Sequence, residues 1–166
     1  SGQVAPISEE ERRERAAAAE RADQAERAAR ARLDALVAGA ARFFVDRDTD
    51  GAVYGRRSDV ADRMLDTITG PKIAPRVKLD LHGQDEAGAK RETLRFLREQ
   101  SERGVRDVLI VHGKGLHSGG GIGVLESVVM RVLTESPIAP KVVAFATAPI
   151  RLGGLGAMVV RLDPAR

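Results

Sequence analysis

Residues 77–83 read VKLDLHG, and those seven residues decide the fold. Val77, Leu79 and Leu81 alternate with Lys78, Asp80 and His82, the period-two pattern of a half-buried β-strand, and Gly83 ends it. The next stretch has the longer period of a helix. It covers residues 85–103, with Asp85 as cap and Gly104 as stop. Ala87, Leu94 and Leu97 mark its inner stripe; Arg91, Arg95 and Arg98 share an outer one. VRDVLIV at 105–111 is a second strand, apolar enough to be covered on both faces. A helix follows from Ile122 to about Glu135, then strands KVVAFATA at 141–148 and AMVVRL at 157–162. The order is β-α-β-α-β-β. It predicts an α/β domain over 77–166: a two-layer sandwich with a mostly parallel four-stranded sheet, right-handed crossovers and an antiparallel last pair.

Upstream of that domain the pattern differs. GPKIAP at 70–75 is a break. Residues 40–76 read as a connector carrying Phe43, Phe44 and Val45, with a short helix at 58–68 capped by Ser58. Residues 8–38 read as one long helix. Ser8 and Glu11 form a capping box, alanine dominates, and Gly39 supplies the C-cap. Glu9–Arg13, Glu11–Arg15, Asp23–Arg27 and Glu26–Arg30 are i,i+4 pairs worth about 0.3 kcal/mol each. Large apolar residues arrive only at Leu33, Leu36 and Val37, so the charged extension 1–39 has little to bury. Such an arm either stays solvated or docks on a protein partner or a second copy of the chain.

Composition narrows the function. The chain has no cysteine, which excludes disulfides and Cys-ligated zinc. No apolar run approaches the roughly 18 residues of a membrane span, and no secretory signal is visible. No membrane partner and a cytoplasmic location are therefore expected. The opening Ser1-Gly2 in place of Met is expected of a piece of a longer chain. Residues 1–75 hold 13 Lys and Arg against 14 Asp and Glu, net −1; residues 76–166 hold 14 against 10, net +4. The C-terminal part is the better polyanion binder. Four Phe, one Tyr and no Trp make a poor base-stacking platform, so a nucleic acid would be held through its backbone.

His82 and His112 each follow a strand and precede a glycine, in LDLHG and LIVHG. Parallel strands would put both at carboxyl ends on one sheet edge, where open α/β sheets bind ligands. The loop HGKGLHSGGGIG at 112–123 is expected to bind phosphate. Consecutive free N–H groups can form an anion nest, the following helix aims its positive end there, and Lys114 adds charge. Gly83, Gly113, Lys114, Gly115 and His117 are the candidate phosphate or nucleic-acid contacts. The usual nucleotide fingerprints are absent: Lys114 is followed by Gly115, and no G-x-G-x-x-G can be read in 113–123. Asp80 lies two residues before His82 on the same face, where a carboxylate can orient an imidazole and raise its basicity. DRDTDG at 46–51 matches half of a calcium loop but has Arg57 where the bidentate Glu belongs, which reads as a polar turn.

LDLHG at 79–83, HGKG at 112–115 and GGLGA at 153–157, in that order, resemble the Smr (small MutS-related) domain over roughly residues 77–163. The resemblance implies a two-layer α/β fold with nucleic-acid-binding and endonuclease activity, in a stand-alone member since no Walker motif is present. It implies function at Asp80, His82, His112, Gly113 and Gly115, with GGLGA shaping the turn into the last strand. The expected chemistry is phosphodiester cleavage, linked to DNA repair or recombination or to mRNA cleavage, with His82 as base, Asp80 orienting it and His112 as acid or transition-state donor. RNA supplies its own 2′-OH nucleophile without a metal; attack by water on DNA would call on Mg²⁺ or Mn²⁺. Two rival readings remain: a structure-selective DNA- or RNA-binding module without catalysis, using Arg91, Arg95 and Arg98 as phosphate contacts, and a small nucleotide-binding domain.

Overall fold

The structure is a computed structural model that describes Gly2, residues 5–115 and residues 123–163, with the backbone alone given for 34–42. Two compact units divide it, residues 1–38 and 39–166.

The first unit is helical. Helix α1 spans Glu9–Arg42. Ser8 N–H donates to Glu11 Oε2 at 2.8 Å, and Glu11 N–H donates to Ser8 Oγ at 3.2 Å, the reciprocal bonds of a capping box. Of the expected i,i+4 pairs, Asp23–Arg27 closes at 3.0 Å, while Glu11 is turned back onto Ser8. Side chains from Glu9 to Leu33 are all exposed. Gly39 does not end the helix, which continues to Arg42. A glycine between good helix formers costs only about 1 kcal/mol relative to alanine, too little to terminate α1 before Ala40 and Ala41.

The second unit is a mixed α/β fold with a six-stranded sheet in the order β1-β2-β5-β6-β4-β3. Its strands are β1 (Phe43–Arg47), β2 (Val53–Arg57), β3 (Val77–Asp80), β4 (Asp107–Val111), β5 (Val142–Thr147) and β6 (Ala157–Leu162). Helices α2 (Arg63–Thr69), α3 (Glu86–Glu102) and α4 (Val124–Thr134) connect them. The four strands expected after position 77 are all present, but two details differ. Residues 43–57, read as connector, form a hairpin that adds two strands, with β2 antiparallel to β5. Strand β6 inserts between β4 and β5, so that β3–β4 is the one parallel neighbour pair. β3, β4 and β5 still run in one direction. The short β5–β6 connection returns the chain antiparallel, because a parallel return would need a longer crossover.

Helices α3 and α4 cover one face, over a core containing Leu81, Leu97, Ile110, Val129, Leu133, Phe145 and Val160. The other face buries Leu109, Ala144, Ala146 and Val159 under Ile68 of α2. Burying one such large aliphatic side chain contributes about 1.5–3 kcal/mol. The inner stripe of α3 is Ala89, Thr93, Leu97 and Gln100; Ala87, expected inside, is exposed. Asp85 caps α3 by accepting Gly88 N–H at 2.7 Å, and Gly104 follows the helix with φ +73°.

A candidate nucleic-acid site at the carboxyl edge of the sheet

The parallel pair β3–β4 ends with Asp80 opposite Val111, and Leu81 N–H extends the ladder to Val111 O at 2.8 Å. The chain then turns: Gln84 N–H donates to Leu81 O at 3.0 Å, and Gly83 has φ +80°. Position i+2 of a type II turn requires such a φ, which is the reason for glycine in LDLHG. His82 occupies the turn's outer corner and is exposed. The Asp80 carboxylate accepts the His82 backbone N–H at 2.9 Å. It therefore fixes the turn that presents His82, where the sequence suggested a bond to the ring.

His112 stands one residue beyond the last pair of β4 and is only 5% exposed. Its backbone N–H and that of Gly113 both donate to Gly156 O at 3.0 Å. The glycine motif before β6 thus anchors the HGKG loop. Two of the amides expected to form an anion nest are consumed by this anchor. The His112 ring nitrogen Nδ1 lies 2.7 Å from Gly113 O. A carbonyl oxygen can only accept, so Nδ1 carries the proton and Nε2 holds the lone pair in the neutral ring. Burial pushes the imidazole below its ordinary pKa; the Gly113 carbonyl and the Glu126 carboxylate oppose that shift. The shift favours the neutral ring, whose Nδ1 proton is committed to Gly113 O.

The register of β3 against β4 sets which side the residues at the strand ends take. Leu81 and His112 are each one step past a paired position, so both point to the α3–α4 side, where Leu81 is fully buried. Asp80, paired with Val111, points to the other side, and His82 lies beyond the ladder on the turn. The two histidines share the carboxyl edge in different settings, His112 buried and His82 exposed.

Around His112 the glycines allow close approach. Gly113 and Gly115 have φ +83° and +68°. Lys114 is exposed, with its stem against Gly156: a methyl group on Gly156 would come within 3.3 Å of Lys114 Cγ. Gly123, the N-cap of α4, offers no side-chain acceptor and packs against Gly113 and Gly115. The positive end of an eleven-residue helix therefore abuts the loop. His117 lies outside the described residues.

Two residues in this region escaped the sequence reading. Glu126, in the first turn of α4, is buried, and its Oε1 takes an ion pair from Arg47 Nη2 of β1 at 2.6 Å. The partners are 79 residues apart, so no spacing rule pairs them. The DRDTDG segment is the β1–β2 turn, where Asp48 Oδ1 accepts the N–H groups of Asp50 and Ala52 at 3.0 and 2.9 Å, the polar turn its sequence indicated. No group of three or more His, Asp or Glu comes together among the described residues. A cavity of about 500 Å³ lies between α3 and α4, lined by residues including Lys90, Leu94, Val128 and Arg131. No helix among the described residues is long and apolar enough to cross a membrane.

Comparison with known proteins locates these features in one family. A sequence model of the Smr domain matches residues 79–163, more than half of the chain. The chain is 42% identical over 96 residues to Endonuclease MutS2 of Helicobacter pylori, covering 58% of this chain and 11% of that protein. It is 30% identical over 114 residues to the Ribosome rescue factor SmrB of Aliivibrio fischeri, covering 69% of this chain and 59% of that one. Among solved structures, YdaL, a stand-alone small MutS-related protein from Escherichia coli, superimposes with a TM-score of 0.57 at 31% identity, over 66% of this chain and 82% of that one. The chain thus spans about a tenth of MutS2 and somewhat over half of SmrB.

Proposed function

The chain belongs to the Smr domain family, and from that premise we propose that it is a nucleic-acid endonuclease working at the carboxyl edge of β3 and β4. The observation that carries this reading is the exposed His82, held on a rigid type II turn by the Asp80 carboxylate. A solvent-facing imidazole on a fixed backbone can reach a substrate as a proton acceptor. Lys114 and the amino end of α4 supply positive potential for the phosphodiester, as point charge and as dipole. His112 serves the site indirectly: its Nδ1–H ties down Gly113 O and so shapes the backbone that carries Lys114.

The substrate is a phosphodiester strand held by its backbone. One relative is named an endonuclease and another a ribosome rescue factor, which supports both DNA and RNA as members of the test panel. On RNA, His82 would take the 2′-OH proton as the 2′ oxygen attacks phosphorus and the P–O5′ bond breaks, leaving a 2′,3′-cyclic phosphate and a 5′ oxygen that takes a proton from water to become the hydroxyl. On DNA the nucleophile would be water, and Asp80 would be the carboxylate available to a divalent ion, whose charge would help activate that water.

Single-stranded RNA and branched or nicked DNA are incubated with the protein in EDTA, Mg²⁺ or Mn²⁺, beside His82→Ala. The expected result is cleavage that His82→Ala lowers by about 10²–10⁴ with binding largely retained. Wild-type cleavage by the variant removes His82 from the chemistry. Salt-sensitive binding with no cleavage of any substrate favours the rival, a binding module whose exposed Arg91, Arg95 and Arg98 contact phosphates.

A further inference from the structure

The hairpin β1–β2 lies outside residues 79–163, the segment matched by the family model. One of its side chains nevertheless reaches the first turn of α4. Arg47 Nη2 meets Glu126 Oε1 at 2.6 Å, and Arg47 Nη1 donates to Gly51 O at 2.7 Å, so the guanidinium staples the hairpin turn to the helix. The Glu126 side chain is 8% exposed, against 33% for Arg47. Its carboxylate is thus buried at the helix end that abuts the HGKG loop, and it acts on His112. Among the described residues it is the charged group that does so: Lys114, on the same loop, is exposed, and Asp80 leaves β3 on the other face.

A buried carboxylate in the first turn of a helix whose start packs on the His112 loop has two available partners, the guanidinium and the ring. Unpaired, it would recruit the ring as its counter-ion, which requires a second proton on the ring and draws Nδ1 or Nε2 toward it. We propose that Arg47 is a positioning residue of the nuclease edge: by engaging Glu126 it keeps that carboxylate from capturing His112, and so preserves the His112–Gly113 bond that shapes the Lys114 loop. The inference rests on the reading of this edge as the functional site. It makes the hairpin a working part of that site, beyond its role as two added strands.

A mutant cycle on the full chain tests it, read by NMR titration of labelled imidazoles. Arg47→Met keeps the length and the packing near Met130; Arg47→Lys keeps the charge. The His112 midpoint is expected to rise in Arg47→Met, to stay near wild type in Arg47→Lys, and to fall in Glu126→Gln. In the Glu126→Gln background, Arg47→Met is expected to have no further effect. A folded Arg47→Met protein with an unmoved His112 midpoint overturns the proposal, as does the same rise when residue 126 carries no charge. Cleavage is assayed in parallel. A shifted midpoint with unchanged cleavage upholds the coupling and instead removes His112 from the functional site, so the two failures are distinguishable.

Discussion

At the scale of single residues, the two histidines of the edge do different work because one lies a step further along the pleat. His82 sits on a turn in solvent, and His112 is enclosed with its proton pinned on Nδ1. The sequence showed both histidines at strand ends, but not that one would be enclosed and the other exposed, since the side His112 takes depends on the register of β3 against β4. Burial has a thermodynamic consequence. Because the folded state depresses the His112 pKa, the unfolded chain binds a proton first as pH falls below about 6.5. Stability from this group is complete above that pH and is lost between it and the lower folded value, with a slope of at most about 1.4 kcal/mol per pH unit. His112→Asn places an amide N–H where Nδ1–H was and does not titrate. Its melting temperature should fall less steeply with acid than that of the wild type, with more cleavage retained than in His112→Gln, whose amide reaches the Nε2 position instead. Parallel melting curves for wild type and His112→Asn would refute the assignment.

At the scale of elements, β3, α3, β4, α4, β5 and β6 were legible because each carries its own period and cap. The hairpin was not. Its strands are five residues each, and β1 exposes Phe44 and Val45, so no alternation marks them against a turn rich in aspartate. What docks the hairpin is instead a contact distant in sequence. Gly55 of β2 pairs with Phe145 of β5, and the Phe145 ring lies over the glycine where a Cβ would overlap it. Phe43 of β1 packs on the same ring at a centroid distance of 6.1 Å. Only a residue without a side chain admits the ring there, so this glycine is a packing requirement and not a turn signal. Gly55→Ala should cost about 1–3 kcal/mol by overpacking, seen as a lower urea midpoint at constant slope. In Gly55→Ala/Phe145→Leu the smaller side chain makes room, and the loss should be less than the sum of the two single changes. Strict additivity would show that the ring does not hold the hairpin. The β4–β6 pair is secured differently, by Arg161 and Asp107 at 2.8 and 2.9 Å between two strands whose order the sequence could not rank.

At the scale of the whole molecule, the charge division read from composition follows the architecture. Residues 39–166, the unit with the histidine edge, hold 20 Lys and Arg against 16 Asp and Glu, net +4, and residues 1–38 hold 7 against 8, net −1. A helix whose side chains are exposed from Glu9 to Leu33 gains nothing there from burial. Its order must come from alanine propensity, the Ser8–Glu11 box and pairs such as Asp23–Arg27. These are local terms, so the second unit should not depend on them. A chain starting at Gly39 should lose ellipticity at 222 nm in proportion to the missing helix while its unfolding free energy in urea moves by no more than about 0.5 kcal/mol. The alternative occupant of the arm, a second copy, predicts something else. Full-length stability would then rise with protein concentration, and the shortened chain would lose that dependence, because association stabilises only the form that binds. A loss above about 2 kcal/mol at all concentrations would mean that the arm packs on its own fold. Cleavage by the shortened chain separates the remaining roles: the edge residues all lie in the second unit, so catalysis on a short oligonucleotide should survive, and its loss would place part of the nuclease site in residues 1–38.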